Sequence, residues 1–247
     1  MNSGIVEEAQ RRLVEDGYGP NPLCARCKGT GWLYLDVPVD DERFGKAFVC
    51  TAKGCLADST QKYKQGEGYL AKIGVTQPWC SFEKFKRIKG TGDAYKAFYD
   101  LAHGKTELPF LLCYGGVGNG KTHLCQALAV VLNWRVISVR YYTVADLMSR
   151  LKQTIPMHLI DDEILKLKEI EALILDDLGV EYGTDWETTK LEEIVDARYR
   201  NQLITVLTTN RDIGWVPERI LSRFSDPDVS QLVLNNAPDY RRREIGD

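Results

Sequence analysis

Eight consecutive residues, Gly115-Gly116-Val117-Gly118-Asn119-Gly120-Lys121-Thr122, satisfy the pattern G-x-x-x-x-G-K-[ST] in full. Glycines let such a loop curl so that backbone N–H groups face phosphate oxygens, and the N-terminus of a following helix adds a positive field. On this reading Lys121 reaches the β- and γ-phosphates and Thr122 gives a hydroxyl to magnesium, while His123 ends the set of nucleotide contacts. The flanking sequence agrees, because an apolar run at Phe110–Tyr114 enters the loop and a helical pattern through Leu124, Leu128, Val131 and Leu132 leaves it. The expected ligands are ATP or ADP with magnesium.

A second apolar run, Leu173-Ile174-Leu175, ends in Asp176-Asp177. Alone, such a pair is equally well a solvated turn. Downstream of a phosphate loop in an open α/β sheet it lies where ligands bind. Asp176 is then the expected magnesium anchor and Asp177 the group that polarises the attacking water. The run Ile204–Thr208 leads into Thr209-Asn210, where the Asn is a turn residue or a polar strand tip. A short helix is expected over Pro217–Phe224, with Pro in its first turn. It carries Arg219 and Arg223 four residues apart on one face, where surface ion pairing is the alternative role. Arg241 stands in a basic tail with Arg242 and Arg243.

Four of the seven cysteines form two tight pairs, Cys24-x2-Cys27 and Cys50-x4-Cys55, separated by 22 residues. That is the spacing of a four-thiolate structural zinc site, which leaves no open position for catalysis. Cys80, Cys113 and Cys125 are scattered through apolar segments instead.

These residues need elements to position them. Short apolar strands at Phe110–Tyr114, Val136–Tyr141, Ala172–Asp176, Ile204–Thr208 and Leu232–Leu234 alternate with helical patterns, which predicts an α/β fold with a five-stranded parallel sheet. Thr143 followed by Asp146 reads as a capping box. Upstream, residues 3–16 read as an amphipathic helix, and the Gly-, Pro- and Cys-rich stretch after it suits a small metal-stapled module. The expected domains are 1–75 and 76–247. With 32 basic and 35 acidic residues the net charge is −3, so any nucleic-acid contact rests on a local patch. No apolar run approaches the roughly 20 residues that cross a bilayer, and the N-terminus has no signal-peptide core, so the expected location is the cytoplasm, with no membrane partner.

The segments GGVGNGKTHL, LILDDLG, the DARYR-to-TTN stretch, PERILSRF and the late DYR, in this order over about residues 75–247, resemble the bacterial and phage helicase loaders of the DnaC/DnaI type. They resemble equally the IstB transposition helper ATPases, which act on duplex DNA. The resemblance implies an AAA+ P-loop ATPase core, self-association through ATP interfaces, single-stranded DNA binding, and delivery of a replicative ring helicase through an N-terminal zinc module of the DnaI kind. It implies Asn210 as a sensor of the γ-phosphate, Arg223 or Arg219 as the finger that reaches a neighbour's nucleotide, and Arg241 as a second sensor. Asp177 is one methylene shorter than the Glu usual in this class, which implies slow turnover. For unpaired DNA the candidates are Thr184 and Trp186, since aromatic faces stack on bases without reading sequence. Arg150, Lys152, Lys166 and Lys168 would assist. Core packing is the other reading of Trp186.

Overall fold

The computed structural model describes residues 32–34, 41, 47–49, 70–71, 73–77, 80–135, 137–179 and 184–242. The expected helix over 3–16, the cysteines at 24, 27, 50 and 55 with their zinc, Tyr182 and Arg243 lie outside the described residues. The chain divides into two compact units, Met1–Lys72 and Ile73–Asp247. In the first, β1 (Trp32–Tyr34) pairs with β2 (Ala47–Val49) in an antiparallel ladder.

The second unit is a three-layer α/β/α structure. Its elements run α1 (Gly92–Ala102), β3 (Phe110–Tyr114), α2 (Lys121–Trp134), β4 (Val139–Thr143), α3 (Val144–Thr154), α4 (Ile160–Glu169), β5 (Ala172–Asp176), α5 (Asp185–Arg200), β6 (Ile204–Thr209), α6 (Glu218–Phe224) and β7 (Ser230–Leu234). The five strands lie in the order β4-β5-β6-β3-β7, and every neighbouring pair is parallel. All five residues of β5 are buried and so are the first four of β3, as continuous apolar runs covered on both faces require. Phe110, Leu112, Leu173, Leu175 and Leu207 point into one core with α3 to α6, while α1 and α2 cover the opposite face. Among the described residues no helix is long and apolar enough to cross a membrane.

β4 starts later than the apolar pattern from Val136 suggests. Ile137 donates its N–H to Leu132 O and closes the end of α2, and Ser138 bonds the Glu171 carboxylate through both its N–H and its hydroxyl. The ladder therefore opens at Val139 and runs through Thr143, which is also the N-cap of α3. Thr143 Oγ1 accepts from the Asp146 N–H, and the Asp146 carboxylate accepts the Thr143 hydroxyl proton at 2.6 Å. A reciprocal capping box forms at Thr184 and Glu187 instead, at the start of α5. Pro217 takes the N-cap of α6 rather than a place in its first turn.

Arg198, near the end of α5, is fully buried. Its guanidinium donates to the carbonyls of Leu167, Ile170, Glu171 and Ile204 and to Thr205 Oγ1, at 2.7 to 3.5 Å. Leu167 and Ile170 lie in the last turn and at the C-cap of α4, the negative end of that helix dipole. Burial lowers the pKa of Arg198 to about 9, and five acceptors keep the cation satisfied. It ties α4, α5 and β6 together.

Candidate nucleotide site

The strand order makes β3 the place where winding reverses: the chain leaves β3 for the far edge at β4, returns through β5 to β6, then crosses β3 to reach β7. In such sheets the binding crevice opens beyond the carboxyl ends of the strands at the switch point. The loop 115–120 begins there. Gly115 has φ +137°, and a Cβ on it would stand 2.2 Å from the Asn235 carbonyl oxygen. Gly120 has φ +92°, and its Cβ would meet the Phe85 ring at 2.6 Å. Both positions require glycine for backbone freedom and for close approach.

The loop is fastened from two sides. Asn119 and Asn235, both buried, exchange amide hydrogen bonds with each other's carbonyl oxygens at 2.9 and 3.0 Å, and the Tyr240 N–H donates to Gly118 O. The segment after β7 thus straps the loop from the C-terminal side. On the other side Phe85 packs between His123 and Tyr95, with ring centroids 5.3 and 5.7 Å away. The His123 ring bonds the Ser81 carbonyl oxygen at 2.8 Å. His123 therefore anchors the 81–85 segment as a wall of the site.

Lys121 is buried, and its ammonium donates to Gly115 O, Gly116 O and Asn119 Oδ1 at 2.8, 2.7 and 3.0 Å. Burial lowers its pKa, against the nearby Cys113, Asp176 and Asp177 groups that raise it. All three bonded partners are neutral oxygens. A buried cation held only by neutral acceptors gains from an anion, so the loop fits a polyphosphate.

Asp176 is buried and fully engaged. Its Oδ1 accepts from the Thr208 hydroxyl at 2.5 Å and from the Cys125 thiol at 3.7 Å, and its Oδ2 accepts from the Tyr141 hydroxyl at 2.8 Å. Burial, followed by the Asp176 charge, pushes up the pKa of both Cys125 and Tyr141. Burial takes the Cys113 thiol to about 12. The donors around Asp176 thus keep their protons and the carboxylate remains the acceptor. A carboxylate oxygen from Asp176 and the hydroxyl of the half-buried Thr122, the residue after Lys121, are hard donors of the kind magnesium takes. Asp177 is exposed, with φ +57°. Its N–H donates to Thr208 Oγ1 at 2.9 Å, and its carboxylate accepts a short hydrogen bond from the Asn210 amide. A left-handed backbone on a residue with a Cβ costs about 1 kcal/mol or more, and Asp is among the few residues that take it readily. The turn separates two consecutive carboxylates into a buried one and an exposed one bonded to Asn210.

The remaining candidates divide. Arg219 pairs with Glu192 at 3.2 Å and Arg223 with Asp196 at 2.8 Å, both partners on α5, and Arg223 also lies 5.0 Å from the Tyr199 ring centroid. Arg241 is exposed in the turn Tyr240–Arg242 that follows the strap. The Thr184 hydroxyl is committed to its capping box, and Trp186 is half-buried against the core. Arg150 and Lys166 share Glu163, Lys152 pairs with Glu187 and Lys168 with Glu193, so each of these four cations has a carboxylate within 4 Å. Tyr141, Asn235 and Phe85 contribute without any motif that marks them, whereas Thr208 stands within the TTN segment. Among the described residues no cluster of three or more His, Cys, Asp or Glu could hold a metal ion alone.

The chain is similar to known proteins in sequence and in fold. Residues 105–235 match the family model described as IstB-like ATP binding protein. Over 175 residues the chain is 30% identical to the replicative helicase loader DnaC of Escherichia coli (strain K12), covering 68% of this chain and 71% of that protein. A crystal structure of the DnaC helicase loader superimposes with a TM-score of 0.57 at 21% identity, over 65% of this chain and 99% of the other. The replication initiator DnaA bound to AMPPCP and single-stranded DNA superimposes with a TM-score of 0.58 at 25% identity, over 65% of this chain, which spans about half of that one (51%).

Proposed function

The chain belongs to the IstB-like ATP-binding family and is an AAA+ P-loop ATPase, and on that premise we propose that it is a helicase loader that hydrolyses ATP slowly while holding single-stranded DNA. The observation that carries this reading is the meeting of Lys121, the Asp176–Asp177 pair and Asn210 beyond the ends of β3, β5 and β6. Lys121 holds the β- and γ-phosphates once they replace its neutral partners. Thr122 and Asp176 would hold magnesium, whose charge would offset that of the phosphates. Asp177, oriented by Asn210, takes the proton from the attacking water. Arg223 or Arg219 leaves its acidic partner on α5 to reach the nucleotide of a second copy, and Arg241 senses the phosphates from the strap. Residues 1–75, with zinc held by Cys24, Cys27, Cys50 and Cys55, dock a replicative ring helicase. The similarity to a DnaC loader supports the helicase, and the similarity to a DnaA structure that contains a single strand supports the DNA.

The family match also supports a second reading, a transposition helper acting on duplex DNA. Steady-state ATP hydrolysis measured alone, with single-stranded DNA plus a replicative ring helicase, and with duplex DNA separates the two. The loader reading expects turnover to change with the single strand and helicase together. A response to duplex alone would give the second reading, and a response to neither would remove both.

A further inference from the structure

Beyond the carboxyl ends of β5 and β6, the residues next to Asp177 and Asn210 open into a pocket of about 130 Å3. Leu178, Thr188, Thr209, Arg211, Trp215 and Pro217 line it. Its most exposed apolar member is Trp215, with 66% of its surface in solvent. The ring is not needed to fasten its own turn. Asp212 caps that turn by accepting the Gly214 N–H at 3.1 Å, and Ile213 and Val216 on either side of it pack against the core. The Arg211 guanidinium lies 5.8 Å from the Trp215 ring centroid. Among the lining residues Arg211 brings the one formal charge, and there is no carboxylate. Thr209 Oγ1 donates to Leu178 O at 2.7 Å and accepts from the Arg211 N–H at 3.1 Å, which fixes the pocket floor to the strand that ends in Asn210.

A solvent-facing indole with a cation over it, in a lining that holds no carboxylate, is the chemistry that takes a planar base and its phosphate. We infer that this pocket binds an unpaired nucleobase stacked on Trp215, with Arg211 on the adjoining phosphate, and that single-stranded nucleic acid is its ligand. The inference rests on the proposal that the chain holds a single strand, and it moves the principal contact from Trp186, whose ring is spent on the core, to Trp215. The four cations expected to assist Trp186 each have a carboxylate partner, whereas the pocket brings Arg211 none from its own lining.

The test is fluorescence anisotropy of a labelled oligo-dT titrated with the full chain in magnesium and a non-hydrolysable ATP analogue. Sedimentation of the same samples reports self-association. Wild type is compared with Trp215→Ala, Trp215→Phe and Arg211→Gln. Loss of one stacked base raises Kd by about ten-fold for Trp215→Ala. Trp215→Phe keeps most of the affinity, and Arg211→Gln lowers the salt dependence of binding. If wild type binds while Trp215→Ala and Arg211→Gln bind as tightly, the pocket is not the seat and only this inference fails. If wild type itself binds no single strand, the wider proposal fails and this one with it. Lost self-association with unchanged strand affinity in Trp215→Ala would make the patch a contact between copies and overturn the inference.

Discussion

At the scale of single residues the site is an exercise in keeping protons and charges where they are needed. Asp176 is buried and accepts hydrogen bonds from the Tyr141 and Thr208 hydroxyls and the Cys125 thiol, and burial raises the pKa of the tyrosine and the cysteine. Asp177, one residue later, is exposed and bonded to Asn210. Its side chain is one methylene shorter than glutamate, so in the proposed role of base it would stand back from the attacking water, and geometry lost by even ~1 Å is expensive in rate. Asp177→Glu is therefore expected to raise steady-state hydrolysis, by about ten-fold or more if the full reach is restored. An unchanged or lower rate in a phosphate-release assay would show that reach is not what limits turnover.

At the scale of elements, α5 is the hub. Its first turn is closed by the Thr184–Glu187 box, its face supplies Glu192 and Asp196 to the arginines of α6, and its last turn buries Arg198. Glu187 also receives Lys152 of α3 at 2.7 Å, and that hydrogen bond, with help from Thr184, holds its pKa at about 2 against an ordinary 4.5. A depressed carboxyl contributes stability above its unfolded value and loses it as pH falls through the folded one. Glu187→Gln should thus lower Tm at pH 7 and pH 5. The gap from wild type should narrow between about pH 4.5 and pH 2, and a gap independent of pH in thermal melts would refute the ion pair's role. Sequence pattern reaches such elements unevenly. β3 and β5 are legible because both faces are buried and the apolar run is unbroken. β4 is an edge strand in which Val139 and Tyr141 alternate with Arg140 and Tyr142, so a preceding apolar pair outweighs it in the pattern although Ile137 serves the end of α2.

At the scale of the molecule, what is legible is what is contiguous. The loop 115–122 and the Asp176–Asp177 pair announce themselves within a few residues. The bonds that hold them do not: Tyr141 is 35 residues from Asp176, Thr208 is 32, and Asn235 is 116 from Asn119. Such partners are fixed by the order β4-β5-β6-β3-β7, which no local pattern encodes. The same order places the strap after β7 across the loop that follows β3, so the end of the second unit and its nucleotide site are one structure.

Every proposed step in this protein requires that the loop grip a nucleoside triphosphate through Lys121. Isothermal titration of ATP and magnesium into wild type and Lys121→Ala measures it directly. Losing a buried, charge-assisted contact worth about 1.5–3 kcal/mol should weaken ATP binding by about ten- to a hundred-fold. Equal affinity in the two proteins would contradict the claim.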